Sequence, residues 1–343
     1  MQQRDSARTS GPGFRVGETV EVKSREEILA TLDKHGELDD LPFMPEMLQF
    51  AGQRFPLYRR AVKFCDTKDW TGMHRLDSTV HLEGVRCDGS AHGGCQAGCL
   101  LFWREDWLKP VSGDDTSGDA ASAAAERSEP DPAAAACTEE DLLAATGEGD
   151  EADGTRRYSC QATELTRAGP ERLAWWDARV YVRDVRAGNS RALPMLRSVL
   201  VLLFNVVQAG SRRYLPPKLR LIRGGQKFPF VLGQLDRTPK MTLDLQPGEL
   251  VRVKSKEEIL ATLDHKATNR GLSFDAEMLK YCGTQARVLR RVERIIDEPT
   301  GKMLRFRNDC IILEGVICSA DFHQYCPRSI YPYWREIWLE RVE

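Results

Sequence analysis

The chain lacks the motifs of several large enzyme classes. It has no phosphate-cradling glycine loop, no dinucleotide fingerprint and no serine- or cysteine-nucleophile motif, so it offers no positive case for those chemistries and no nameable catalytic residue. It has no helix-turn-helix pattern and no RNA-binding signature, which removes the common nucleic-acid modules. Long apolar runs are missing too. The longest, Ser198 to Val207, is about half the ~20 residues a membrane helix needs. The opening stretch MQQRDSARTSGPGF has no apolar core and predicts no secretory leader. The expectation is a soluble, cytoplasmic protein with no membrane segment.

Acidic residues are absent from one long stretch and crowded into another. Between Val185 and Leu235 there are nine Arg or Lys and no Asp or Glu. Residues 112–155 hold thirteen Asp or Glu against the single Arg127, a local net of −12. The remainder carries 48 basic and 38 acidic residues, a net of +10 hidden inside an overall −2. A tethered acidic segment competes for basic surfaces. The basic segment 186–227, with Tyr214 and Phe228 interleaved or adjacent, is a candidate footprint for an anionic partner such as nucleic acid. A solvated basic face is the plainer reading, and a protein partner is the other possibility.

What is present is a duplication. One offset of 231 residues aligns Gly17–Val111 with Gly248–Val342 without a gap, and 36 of the 95 positions are identical. VKSREEILATLD matches VKSKEEILATLD, EML at Glu46 matches EML at Glu277, HLEGVRC matches ILEGVIC and WREDWLKPV matches WREIWLERV. Each copy reads as a short alternating strand, then a helix opened by Ser24 or Ser255 with Glu three residues on. A second short helix ending near Gly52 and three strand-like stretches follow. About 95 residues of short strands with one or two small helices resemble a small SH3-like β-barrel, a likeness of fold that licenses no function. The doubled WRE-x-WL reads as two tryptophans on one strand face, core before ligand platform.

The expected fold class is α+β: two homologous SH3-like units flanking a central α+β domain. The expected divisions are a disordered N-terminus (1–16), the first repeat (17–111), an acidic disordered linker (112–155), the central domain (156–247) and the second repeat (248–343). In the central stretch, LAWWDARVYVRD alternates like a strand, and the run from Leu193 to Gly210 reads as a core helix, apolar all round.

Ten cysteines are many for a reducing compartment, where clustered thiols point to metal or redox chemistry. Cys87, His92, Cys95 and Cys99 fall within thirteen residues rich in glycine. Thiolates and imidazole are ligands zinc favours, and Cys3His closes a tetrahedron. The second copy keeps Cys318, His323 and Cys326 but places Ile330 at the Cys99 position, so this partial site has either decayed or draws a fourth ligand from elsewhere. The expected cofactor is zinc, with one site in the first repeat and a second possible. The leading function is a zinc-stabilised binding or scaffold protein. The alternative is a metal- or thiol-dependent enzyme using the second Cys/His site or the central-domain interface.

Overall fold

The structure, a computed structural model, describes residues 13–66, 72–111, 137–150, 156–220 and 225–342. The expected disordered N-terminus lies outside these residues up to position 12. So do residues 112–136 and 151–155 of the acidic linker and 221–224 of the basic segment. The fold is α+β, with helices and several antiparallel sheets. The described chain forms two compact units. One holds residues 13–93, 100–175 and 297–302; the other holds 94–99, 176–296 and 303–342.

The first unit is built on an antiparallel sheet of β1 (Thr19–Val22), β2 (Arg54–Arg60), β3 (Thr79–Leu82), β4 (Trp103–Arg104) and β5 (Leu108–Pro110), in the order β4-β3-β2-β1-β5. Alternation sends Val20 and Val22 into the core, as a period-two pattern requires. Helix α1 (Arg25–Leu29) starts at Ser24, where the hydroxyl accepts from Glu27 N–H and the Glu27 carboxylate accepts from Ser24 N–H. This capping box satisfies two of the amide donors that a helix start leaves open.

The sheet is open, not the closed barrel expected: β4 and β5 stand at opposite edges. The reason lies in WREDWL. It makes a two-residue strand, a 3-10 turn over Glu105–Trp107 and a new strand at the far edge. Trp103 and Trp107 are fully buried and pack edge-on against Phe43. They are core residues, and neither forms a ligand platform.

The first unit also takes in part of the connecting sequence. Helix α2 (Glu139–Ala145) sits within the acidic stretch, capped by Thr138, with Leu142 and Cys137 buried in the first unit's core. Helix α3 (Gln161–Ala168) buries Gln161 and Leu165. Gln161 accepts from Phe102 N–H and donates to the carbonyls of Phe102 and Pro42, at 2.8, 2.8 and 3.0 Å.

The second unit repeats the sheet with β6 (Leu250–Val253), β7 (Gln285–Arg291), β8 (Ile311–Leu313) and β9 (Leu339–Arg341), ordered β8-β7-β6-β9. The registers match through the 231 offset: Val22 opposes Leu108 as Val253 opposes Leu339, and the irregularity between Leu57 and Arg59 recurs between Val288 and Arg290. The expected central domain is therefore divided. Residues to Trp175 fall in the first unit, and those from Trp176 fall in the second.

Two expectations for that stretch change. WWDARVYVRD forms helix α4 (Ala178–Arg186), because Asp177 accepts from Arg179 N–H at the N-terminus and starts a helical turn that the alternation did not foretell. The apolar run forms α5 (Ala192–Tyr214), which extends beyond the expected ends but is not a core helix. Met195, Gln208 and Ser211 are its buried residues. Among the described residues it is the helix long and apolar enough to cross a membrane by length and composition. Helix α6 (Lys256–Leu260) repeats α1 and its capping box.

Candidate metal centre

In the first unit the chain turns sharply after Cys87. Gly89 and Gly93 adopt positive φ of 76° and 69°, a region glycine enters without steric cost. This turn brings His92 back beside Cys87. The 3-10 helix Pro45–Phe50 buries Glu46 at the same place.

Cys87 Sγ lies 3.3 Å from His92 Nε2 and 3.4 Å from Glu46 Oε1, to which the thiol donates. His92 Nδ1 is 3.6 Å from Glu46 Oε1. All three ligand atoms fall within 4.8 Å of one another. A tetrahedral zinc with bonds of about 2.0–2.3 Å separates its ligand atoms by roughly 3.3–3.8 Å. The two distances to His92 run to different ring nitrogens, so the imidazole stands between its neighbours, and one of its nitrogens could take an ion.

Burial shapes the electrostatics. It pushes the Glu46 carboxyl above its usual range, offset in part by its own N–H and the Cys87 thiol. It pulls the His92 imidazole down to about 4. The neutral imidazole is the form that binds metal. Glu46 Oε2 and His92 Nδ1 are buried without a hydrogen-bond partner. Native interiors seldom leave such atoms unsatisfied, and an ion is one accepted reason. A divalent cation would also offset the cost of burying an ionised carboxylate.

Cys95 and Cys99, expected as the third and fourth ligands, belong with residues 94–99 to the second unit. There the Cys95 sulfur is buried and accepts from Ile296 N–H at 3.4 Å. Gln96 accepts from Glu293 and Arg294 N–H through its side-chain oxygen and donates its own N–H to the Arg294 carbonyl. The group that the first unit assembles is Glu46, Cys87 and His92.

The second repeat keeps the same loop path with different residues. Ala320, Gln324, Tyr325 and Ser329 hold φ of 60°, 52°, 53° and 41° at the positions of Gly89, Gly93, Gly94 and Gly98. For residues with a Cβ this conformation costs roughly 1–2 kcal/mol each. Ile330, in place of a fourth cysteine, accepts from Cys318 N–H through its carbonyl at 2.8 Å.

The polar groups here are satisfied from within. His323 Nε2 is 3.0 Å from Asp275 Oδ1. Burial opposes this charge pair, but the mutual bond outweighs it, holding Asp275 below its usual range and His323 above. Glu277, the counterpart of Glu46, accepts from Ser319 Oγ at 2.6 Å and Phe322 N–H at 2.7 Å. Burial, followed by the nearby Glu277, pushes the Cys318 thiol far up. Cys326 is buried too.

Beside this loop the second unit has a cavity of about 740 Å³. Phe322, Tyr325 and Phe228 line it together with Glu277, Arg197 and Lys280. Arg197 makes no ion pair among the described residues.

The composition of the site was only partly legible in sequence. Glu46 and Glu277 were visible as the repeated EML, but a carboxylate some forty residues before the cysteines carries no spacing signal. Asp275 stands where the first copy has Met44, so comparison of the copies hid it. No protein-family model, curated protein or solved structure matches the chain.

Proposed function

We propose that the protein is a zinc-stabilised binding protein in which one repeat holds metal and the other meets the partner. The first repeat holds the ion through Cys87, His92 and Glu46. The observation that carries this reading is the pair of partnerless buried atoms, Glu46 Oε2 and His92 Nδ1, beside the Cys87 sulfur.

In the second repeat, Cys318, His323 and Cys326 keep the ancestral positions without an ion. The His323–Asp275 pair takes the ion's place in balancing charge. Relieved of metal, this loop borders the cavity. Arg197 and Lys280 there, beside Glu277 and Asp321 of the same lining, suit an anionic group on the partner, and the aromatic rings suit an apolar body. The SH3-like character of the repeats is part of the same proposal: small open sheets that present loops, not a catalytic cleft.

The test is a thermal melt with and without a strong chelator, repeated on Cys87→Ser. Binding that favours the folded state raises stability by mass action. The wild type should melt lower after chelation, and Cys87→Ser should melt low in both conditions. A wild-type melt indifferent to chelator would refute the structural ion.

A further inference from the structure

Helix α5 is inside out. Its inner side buries Met195 and sets Val201 at the cavity but carries most of the helix's polar groups: Ser198 Oγ donates to the Asp321 carbonyl at 2.6 Å, and Asn205 exchanges two hydrogen bonds with the Phe228 backbone at 2.7 and 2.8 Å. Gln208 donates to the Gln226 carbonyl at 3.3 Å. Its outer side is apolar. Leu193, Leu196, Leu200, Leu203 and Val207 are 79, 55, 57, 44 and 55% exposed. Only 11% of its most apolar 18-residue window is buried, at a mean hydropathy of 1.7. Isolated exposed leucines are ordinary, but a continuous stripe marks a contact surface.

We infer that α5 docks on an anionic lipid bilayer, lying along its surface. This rests on the anionic-partner reading above and names the partner. Three observations select it. First, Arg191 precedes the stripe and Arg212, Arg213 and Lys218 follow it, with Arg197 within its first turns and no acidic residue between Val185 and Leu235. Basic groups flanking an apolar helix face are the features of an interfacial anchor. Second, the uncharged stretch from Ser198 to Ser211 spans about 21 Å at ~1.5 Å per residue. The whole helix is long enough to cross, but its uncharged stretch is shorter than the ~30 Å hydrocarbon core, so crossing would carry Arg197 or Arg212 into it, whereas lying along the surface leaves both at headgroup level. Third, a second copy of the chain is disfavoured. The exposed positions do follow a 3-4 spacing, but Val199, Phe204 and Val206 widen the stripe beyond a coiled-coil seam. Charges of opposite sign that would pair two copies are absent from the segment.

The experiment is co-sedimentation of the full chain with phosphatidylcholine vesicles and with vesicles containing phosphatidylglycerol. Binding to a soluble polyanion and sedimentation equilibrium without lipid are measured in parallel. Binding to the anionic vesicles alone, weakened by salt, is expected. Leu200→Glu with Leu203→Glu should abolish it. Arg212→Ala with Arg213→Ala should weaken it about 25-fold, at roughly five-fold per cation. The two variants test different forces, so misfolding of one leaves the other decisive. Absence of vesicle binding overturns the inference. If polyanion binding persists in that case, the anionic-partner reading stands and only the lipid assignment falls; if both vanish, both fall. A lipid-free dimer dissolved by Leu200→Glu, with no vesicle binding, would assign the stripe to a second copy and also overturn the inference.

Discussion

Glu46 and Glu277 occupy the same position of the two repeats, 231 residues apart, and are satisfied in opposite ways. Glu46 keeps one buried carboxylate oxygen without a partner beside Cys87 and His92. Glu277 accepts from Ser319 and from the Phe322 amide. The carboxylate is common to both copies, and the residues around it differ: beside Glu46 they form a group that could hold a metal ion, and beside Glu277 they supply hydrogen bonds.

The paired tryptophans give a sharp test of the core. Trp107 Nε1 donates to Thr31 Oγ1 and Trp338 Nε1 to Thr262 Oγ1, at 3.1 and 2.9 Å. Trp103 and Trp334 bury the same group with no partner. Trp→Phe removes similar volume at either place, but only at Trp107 or Trp338 does it break a hydrogen bond. Denaturant melts should show Trp338→Phe less stable than Trp334→Phe by about 1 kcal/mol or more.

Glu336 sets an acid limit on the second unit. Burial alone would raise its carboxyl, but the amides of Leu245, Leu243 and Asp244 and the Arg291 guanidinium outweigh burial and hold it below the usual 4.5. A group with a depressed folded value contributes its stability above the unfolded value. That contribution is lost as pH falls from about 4.5 through the folded value. Glu336→Gln should cost about 2 kcal/mol at neutral pH, because it takes the charge from the acceptor that three amides and the half-buried Arg291 share. It should also flatten the acid limb of a stability-against-pH curve, read by urea melts.

Helix α2 tests whether the acidic stretch is anchored. Leu142 is buried, and a Cβ added at Gly36 would lie 2.6 Å from its Cδ2. Leu142→Ala should cost about 3 kcal/mol in the first unit. Limited proteolysis should then cut within 137–150 sooner than in the wild type. Equal cleavage rates would show that the helix is not docked.

The loop of the second repeat carries strain that the first avoids. Gln324 sits at φ 52°, where the first copy has Gly93. Gln324→Gly should raise the melting stability of the second unit by about 1 kcal/mol, while Gly93→Gln should lower that of the first.

Much of this fold could be read from the chain, because repetition doubled each local signal. The capping boxes at Ser24 and Ser255, the alternating strands and the burial of the tryptophan pairs reappear in the structure, though the second tryptophan of each pair lies in a 3-10 turn and not on the expected strand face. Long-range pairing could not be read. WREDWL reaches two opposite edges of one sheet, and only the partners of Trp103 and Leu108 decide that. Helix α5 misled for a physical reason: apolarity tells what a segment avoids, not what covers it, and the polar side of α5 is the one turned inward. At the candidate metal centre, Cys87 and His92 were legible through their spacing. Glu46 arrives by folding alone, on a separate 3-10 helix.

The most direct test of the central claim is elemental analysis of purified wild type, Glu46→Gln and Glu277→Gln. The account predicts one zinc per chain in the wild type and in Glu277→Gln, with the metal lost or much weakened in Glu46→Gln. Two zincs per chain, or a zinc lost with Glu277→Gln and kept with Glu46→Gln, would contradict it.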